Sequence, residues 1–279
     1  MGVNILPEMP EVEIIRRSLG SLLRNRTIKN IEINLSRLIK WPSTTEFSGL
    51  VIGKKIIDVR RIGKYLLLDL DNSYMIVIHL RMTGKLLYVK KEENKDSHSR
   101  ILFHLDNDDL LIYADTRTLG TLHAISKDEI WRISGLANMG YEPLSAEFTE
   151  KYLMDLLQSN KGKIKPLLLN QKYIAGLGNI YVDEALFLSG IHPERVANSI
   201  EQSKVKELHK AINKVIKEGI EHGGTTFRDY RNAEGNKGSH QEHLFVYGRK
   251  DKPCLKCNTF IEKIEVGSRG THFCPKCQK

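Results

Sequence analysis

A chain of 279 residues, 41% hydrophobic and 28% charged, has the composition of folded protein and excludes a collagen-like, disordered or mini-protein reading. Its length suits two modest domains better than one oversized one. Forty-three Lys and Arg against 34 Asp and Glu leave a formal charge of +9, so a polyanion is the natural partner. The longest apolar runs, Tyr65 to Leu68 and Met75 to Ile78, fall far short of the roughly 20 residues a bilayer requires. Met1 to Leu6 has none of the organisation of a secretory signal, so a reducing, cytoplasmic compartment is expected.

In chain order, Val12, Ile15, Leu19, Leu22 and Leu23 form a helical stripe over Pro10 to Arg24, with Pro10 suited to the first turn and Glu11 and Glu13 beside it. From Ile28 to Ile125 short β-type runs take over: Ile56 to Arg61, Tyr65 to Leu70, Tyr74 to Leu80, Ile101 to Leu105 and Leu110 to Ala114. Gly63, Asp71-Asn72 and Asn107-Asp108 separate them as turns, and the pattern predicts an antiparallel sandwich or barrel over residues 1–134. A linker at 135–145 leads into helices expected over Ala146 to Gln158, Ile164 to Leu169, Asn179 to Ser189 and Ser199 to His222. The segment Gly223 to His243 is rich in Gly, Thr, Asn, Lys and His and reads as a mobile loop closing a helical domain of 146–243. The tail domain, 244–279, is basic: from Tyr247 onward it holds eight Lys or Arg and three Asp or Glu.

All four cysteines lie in that tail. Cys254-x-x-Cys257 and Cys274-x-x-Cys277, 16 residues apart, have the spacing of two knuckles that offer four thiolates to one Zn²⁺. With every coordination position filled by sulfur, such a metal is structural. Between the knuckles Arg269 sits in a Gly267-Ser268-Arg269-Gly270 turn. A turn arginine is commonplace, but this basic, metal-braced setting suits a bidentate phosphate contact. Gly176-Leu177-Gly178-Asn179 precedes a helical stripe and aims N–H groups at an anion, with Asn179 as cap or donor. No strand precedes it, so a helix-turn-helix fits better than a dinucleotide loop, and Lys165 on the neighbouring helix offers a second phosphate contact.

Taken together, Pro7-Glu8-Met9-Pro10-Glu11-Val12-Glu13, Gly63-Lys64-Tyr65, His79-Leu80-Arg81-Met82-Thr83-Gly84, Gly178-Asn179-Ile180-Tyr181, Val246-Tyr247-Gly248-Arg249 and the cysteine tail occur in the order found in formamidopyrimidine-DNA glycosylases. The chain resembles that family from Pro7 to Lys279. The resemblance implies an α+β multidomain fold: an N-terminal helix with a catalytic antiparallel β-sandwich, a helical domain with a helix-two-turn-helix, and a four-cysteine zinc finger. It also implies a monomeric, bifunctional base-excision enzyme of the bacterial nucleoid that removes oxidised purines, 8-oxoguanine and formamidopyrimidines, from duplex DNA and then cleaves the abasic strand by β,δ-elimination.

By the same resemblance Pro7 is the amine nucleophile, forming a Schiff base, and Glu8 the acid/base. Lys64 contacts phosphate and the damaged nucleotide; His79, Tyr247 and Arg269 contact phosphate. Met82 and Arg117 enter the duplex where the lesion leaves, Glu11 lines the base pocket, and 223–243 closes over the flipped base. On their own His79 reads as a strand histidine, Met82 as core and Arg117 as a turn arginine. Two departures stand out. Leu119 occupies a wedge position that the family usually gives to Phe. Pro7 is also preceded by six residues, and an acylated proline nitrogen, its lone pair delocalised, forms no iminium. The active protein is therefore expected to begin at Pro7, without Met1–Leu6. A relative of endonuclease VIII acting on oxidised pyrimidines is the second enzymatic reading. A damage-binding protein with a blocked nucleophile is the non-enzymatic one.

Overall fold

The computed structural model describes residues 7–90, 97–227 and 230–279; the expectation that Met1–Leu6 are absent lies outside them. The chain divides into two compact units, residues 7–137 with His222–Ser239, and Asn138–Glu221 with His240–Lys279.

In the first unit, helix α1 (Met9–Leu23) begins one residue earlier than its stripe suggests. Glu8 is the N-cap, in a reciprocal capping box with Glu11, and Pro10 sits where its missing N–H has no helical partner to lose. Val12, Ile15, Leu19 and Leu23 recur every three or four residues and are all buried. Each contributes roughly 1.5–3 kcal/mol of burial free energy.

The strands are β1 (Ile28–Ile33) and β2 (Ile39–Trp41), then, after helix α2 (Thr44–Val51), β3 (Ile56–Ile62), β4 (Tyr65–Leu70), β5 (Tyr74–His79), β6 (Gly84–Val89), β7 (Ser99–Leu105), β8 (Leu110–Asp115) and β9 (Thr121–Ser126). They form a five-stranded sheet ordered β2-β9-β5-β4-β3 and a four-stranded sheet ordered β1-β7-β8-β6. Leu66, Leu68, Ile76 and Ile78 of the first sheet and Leu86, Phe103, Leu111 and Tyr113 of the second share one core with the α1 stripe, so the expected sandwich is present. One pairing departs from the antiparallel expectation: the three-residue edge strand β2 runs parallel to β9. A short helix, α3 (Ser134–Ala137), ends this part of the unit.

The second unit holds α4 (Glu150–Gln158), α5 (Ile164–Leu169), α6 (Asn179–Ser189), α7 (Gln202–Glu221) and a hairpin of β10 (Glu262–Val266) and β11 (Arg269–Phe273). Helix α4 starts later than Ala146 because the Thr149 side chain accepts the Tyr152 N–H and caps it there. Among the described residues no helix is long and apolar enough to cross a membrane.

The segment expected to be a mobile loop of the helical domain instead packs in the first unit over 222–239. Two apolar residues in a polar stretch account for this. Tyr230 and Ala233 are buried in the sandwich core, and the Tyr88 N–H donates to the Ala233 carbonyl at 2.8 Å.

Candidate active site and nucleic-acid interface

Pro7 directly precedes the head of α1, and Glu8, 2% exposed, occupies the N-cap with an extended backbone. The Glu8 N–H donates to Glu11 Oε2 at 2.9 Å, and the other Glu11 oxygen accepts the Thr225 N–H at 2.7 Å. Glu11, expected to line a base pocket, is thus fully buried and clamps the helix head to the 222–239 segment. Beside this carboxylate, burial, helped by the Glu11 charge, pushes the Tyr230 phenol far above its usual range.

The β3–β4 hairpin presents Lys64. Its two-residue turn has glycine first, Gly63 at φ +57°, a position that strains any other residue. One turn further along α1, Glu13 binds Arg61 Nε at 3.2 Å, and Arg61 donates through Nη1 to the Gly63 carbonyl at 2.8 Å. Burial alone would raise the Glu13 carboxyl, but hydrogen bonds from Arg16 and Arg17 prevail and hold it down at about 2. Glu13, the last residue of the N-terminal motif, and Arg61, to which no motif pointed, therefore tie the Lys64 turn to the helix that begins with Pro7-Glu8.

His79 ends β5 opposite Tyr65 and Thr121, so it lies at the same end of the sheet as the Lys64 turn. Its Nδ1 accepts the Arg81 N–H at 3.0 Å, which leaves Nε2 to carry the proton as a donor. Burial, then the charges of Arg81 and Lys64, depresses its pKa to about 3, and the ring is neutral at physiological pH. A neutral imidazole N–H can still donate to a phosphate oxygen. From this same end rise two loops, one carrying Met82 and the other Arg117 and Leu119. Arg117 Nη1 lies 3.4 Å from the Met82 sulfur, and Leu119, 45% exposed, presents an apolar side chain to solvent. Met82 and Arg117 are thus in contact, and Leu119 lies two residues along the Arg117 loop.

In the second unit, α6 is buried on nearly every side, including its two adjacent carboxylates, Asp183 and Glu184. Buried charges need partners. Asp183 finds Lys165 at 2.5 Å, and Lys165 also donates to Thr271 Oγ1 at 2.8 Å; both members of the ion pair are 0% exposed. This corrects the expectation for Lys165: it is an internal brace joining α5, α6 and β11, not a surface phosphate contact. Lys165→Ala would leave Asp183 unpaired in the interior and is expected to cost about 3–5 kcal/mol in a denaturant titration. A phosphate-binding surface lysine would leave stability unmoved.

Glu184 accepts the N–H groups of Phe245, Val246 and Tyr247 at 2.7–2.9 Å. Burial raises its pKa to about 7 despite those three bonds. Tyr247, expected to meet phosphate, is 4% exposed with its ring edge against His272. Asn179 is the first residue of α6, whose N-cap is Gly178, so it does not cap; its Nδ2 donates to the Gly270 carbonyl at 3.0 Å. Gln171, which the motifs missed, braces the glycine turn by accepting from Gly176 N and donating to the Leu177 carbonyl.

In the hairpin the Gly267-Ser268 turn has φ values of +56° and +58°, a type I′ geometry, and Arg269 follows it, exposed to solvent. The four cysteine Sγ atoms lie within 4.8 Å of one another, with 3.9 Å between Cys254 and Cys277 and 3.5 Å between Cys257 and Cys274. Tetrahedral thiolates at about 2.3 Å from Zn²⁺ stand about 3.8 Å apart, so the donor set fits a structural metal.

Three family models match the chain: the formamidopyrimidine-DNA glycosylase N-terminal domain over residues 6–122, the formamidopyrimidine-DNA glycosylase H2TH domain over 139–231, and the zinc finger found in FPG and IleRS over 251–279. Formamidopyrimidine-DNA glycosylase of Bacillus licheniformis is 46% identical over 98% of this chain and all of its own length. That of Cytobacillus firmus is 44% identical, again over 98% of this chain and its full length. Among solved structures, a point mutant of Lactococcus lactis FPG in complex with Fapy-dG-containing DNA superposes with a TM-score of 0.92 at 37% identity, covering 98% of this chain and 100% of that one. The wild-type Lactococcus lactis FPG with DNA containing an oxidised pyrimidine matches at 0.91 and 37%, with the same coverage.

Proposed function

From the premise that this chain belongs to the formamidopyrimidine-DNA glycosylase family, we propose that it excises oxidised purines from duplex DNA through a Pro7 Schiff base and then cleaves the strand by β,δ-elimination. The observation that carries this reading is the head of α1. There Pro7 and Glu8 stand side by side, with the Glu8 backbone held by a buried Glu11 that also anchors Thr225.

In the reaction the Pro7 lone pair attacks C1′, and the glycosidic bond breaks with its electron pair leaving on the base, which takes up the proton that the attacking nitrogen sheds. Glu8 delivers a proton to the ring oxygen as the sugar opens, and the nitrogen forms an iminium. Loss of a C2′ proton then expels the 3′ phosphate, and a second elimination expels the 5′ phosphate. An α-amine titrates near neutrality, so a useful fraction of Pro7 nitrogen is unprotonated. Lys64 and the neutral His79 hold phosphates from one end of the sheet, and Arg269 does so from the hairpin. Met82, Arg117 and Leu119 fill the space that the extruded nucleotide leaves. Glu11 serves the base pocket indirectly, by fixing the two backbone segments it clamps, and Asn179 and Tyr247 set the backbone beside Arg269.

Zn²⁺ is the metal that we assign to Cys254, Cys257, Cys274 and Cys277. Its chemistry is structural: it cross-links the knuckles that flank the hairpin. The enzyme acts as a monomer in the bacterial cytoplasm, on the nucleoid.

The decisive experiment incubates the protein with a duplex holding one 8-oxoguanine and with borohydride. A covalent adduct, and without borohydride a gap bearing phosphates at both ends, is the expected result; no adduct and no cleavage would reject the reading. Because a Lactococcus lactis relative was solved with an oxidised pyrimidine, a thymine-glycol duplex belongs in the same assay, and faster turnover there would favour the endonuclease VIII-like reading. Leu119→Phe is expected to tighten binding to lesion duplex in a fluorescence titration, since stacking on an aromatic is worth ~1–3 kcal/mol. Unchanged affinity would show that leucine already fits its base step.

A further inference from the structure

The two loops that carry Met82, Arg117 and Leu119 leave from different strands, yet both end on one buried carboxylate. Asp115, the last residue of β8, is 1% exposed. Its Oδ1 accepts the Thr83 hydroxyl at 2.6 Å and the Arg117 N–H at 3.1 Å. Its Oδ2 accepts the Gly120 N–H at 3.0 Å and the Tyr113 hydroxyl at 3.2 Å. Thr83 Oγ1 lies within 3.1 Å of the same Arg117 N–H, so the three groups close a compact ring.

Steric fit reinforces the bonding. A Cβ on Gly120 would fall 1.6 Å from the Tyr113 hydroxyl, and one on Gly84 would fall 2.6 Å from that oxygen and 2.3 Å from the Leu80 carbonyl. Both loops also carry a non-glycine residue at positive φ, Arg81 at +55° and Thr118 at +54°, conformations that persist only where the surroundings over-determine them. A carboxylate accepting four hydrogen bonds in the interior supplies that constraint.

Resting on the glycosylase reading above, we infer that Asp115, seconded by Tyr113 and Thr83, is a positioning residue that locks the Met82 and Arg117–Leu119 loops into one rigid insertion device on strand β8. Its work is to hold three side chains at the spacing of an opened base step; it touches neither substrate nor Pro7. Preorganisation of this kind raises the rate of lesion extrusion and leaves the covalent chemistry alone.

The test compares excision of 8-oxoguanine from duplex with borohydride trapping of an abasic site in single-stranded DNA, where no stack has to be opened. Asp115→Asn is expected to lower kcat/KM on the duplex about a hundredfold, the scale of a 1 Å misplacement, while trapping on the single strand stays within about twofold. In case that variant is poorly folded, Thr83→Val removes one of the four bonds to Asp115, together with the second acceptor of the Arg117 N–H; it is expected to lose about tenfold on duplex, and Thr83→Ser to recover it. In a Met82→Ala/Arg117→Ala/Leu119→Ala background, Asp115→Asn should add nothing further, because it acts through residues no longer there. An undiminished effect in that background, or equal losses on both substrates, would overturn the proposal. A wild-type protein inert on both substrates would overturn the glycosylase reading, and the proposal with it.

Discussion

Protein whose chain begins at Pro7 should form a borohydride-stable adduct with lesion duplex, whereas protein acylated at Pro7 should bind the same duplex and form none. The effect is all or nothing because an amide nitrogen has given its lone pair to the carbonyl and has no pair with which to attack C1′. A secondary α-amine, by contrast, titrates near neutrality and is available at physiological pH. The head of α1 is built for this role. Glu8 is the adjacent acid, and its own N–H is fixed by Glu11 rather than left to hydrogen-bond the reacting sugar. Intact mass before reaction assigns each preparation, and an electrophoretic shift reports binding separately from chemistry. If the acylated protein traps an adduct, and that adduct survives Pro7→Gly, Pro7 is not the nucleophile. Lys64, on the hairpin tied through Arg61 and Glu13 to the same helix, then becomes the next candidate.

What can be read from the sequence is local, and what cannot is long-range. Helix α1 is legible because a capping carboxylate, a first-turn proline and an apolar stripe all fall within 16 residues, Glu8 to Leu23. The cysteine knuckles are legible because metal chemistry restricts ligand type and spacing. Lys165 misleads because its partners lie far away: Asp183 is 18 residues on and Thr271 is 106. A lysine near a glycine turn looks like an anion contact until the carboxylate beside it is seen. The 222–239 segment misleads likewise, since the acceptor for the Thr225 N–H, Glu11, stands 214 residues earlier. Asp115 is inconspicuous within Asp-Thr-Arg-Thr-Leu-Gly, although the wedge residues beside it are not. Its bond to Thr83 spans 32 residues and joins two loops that periodicity treats as unrelated.

Removal of the metal, or Cys257→Ser, should abolish strand cleavage while leaving the first unit folded. The four cysteine sulfurs, all within 4.8 Å of one another, are cross-linked through the cation they bind, and metal binding at such a site is also folding free energy. Without the cation, the knuckles separate, and the hairpin is left with its β10–β11 pairing, the bonds that Asn179, Lys165 and Asp183 make to β11, and a small apolar cluster in which two of the five buried members, Cys254 and Cys274, are themselves ligands. Arg269 then loses its fixed direction. The damage reaches inward as well, because β11 supplies Thr271 to Lys165 and the His272 N–H to Asp183 at 2.8 Å, so disorder in the hairpin strips partners from a buried ion pair. The first unit shares none of these bonds. Its sandwich core is therefore expected to retain its near-ultraviolet circular dichroism and a cooperative unfolding transition after chelation, while lesion-duplex binding and cleavage fall together and return when Zn²⁺ is restored. Full cleavage by protein that metal analysis shows to be zinc-free would mean that the hairpin holds Arg269 without the cation, and the coupling argued through Thr271 and His272 would be wrong.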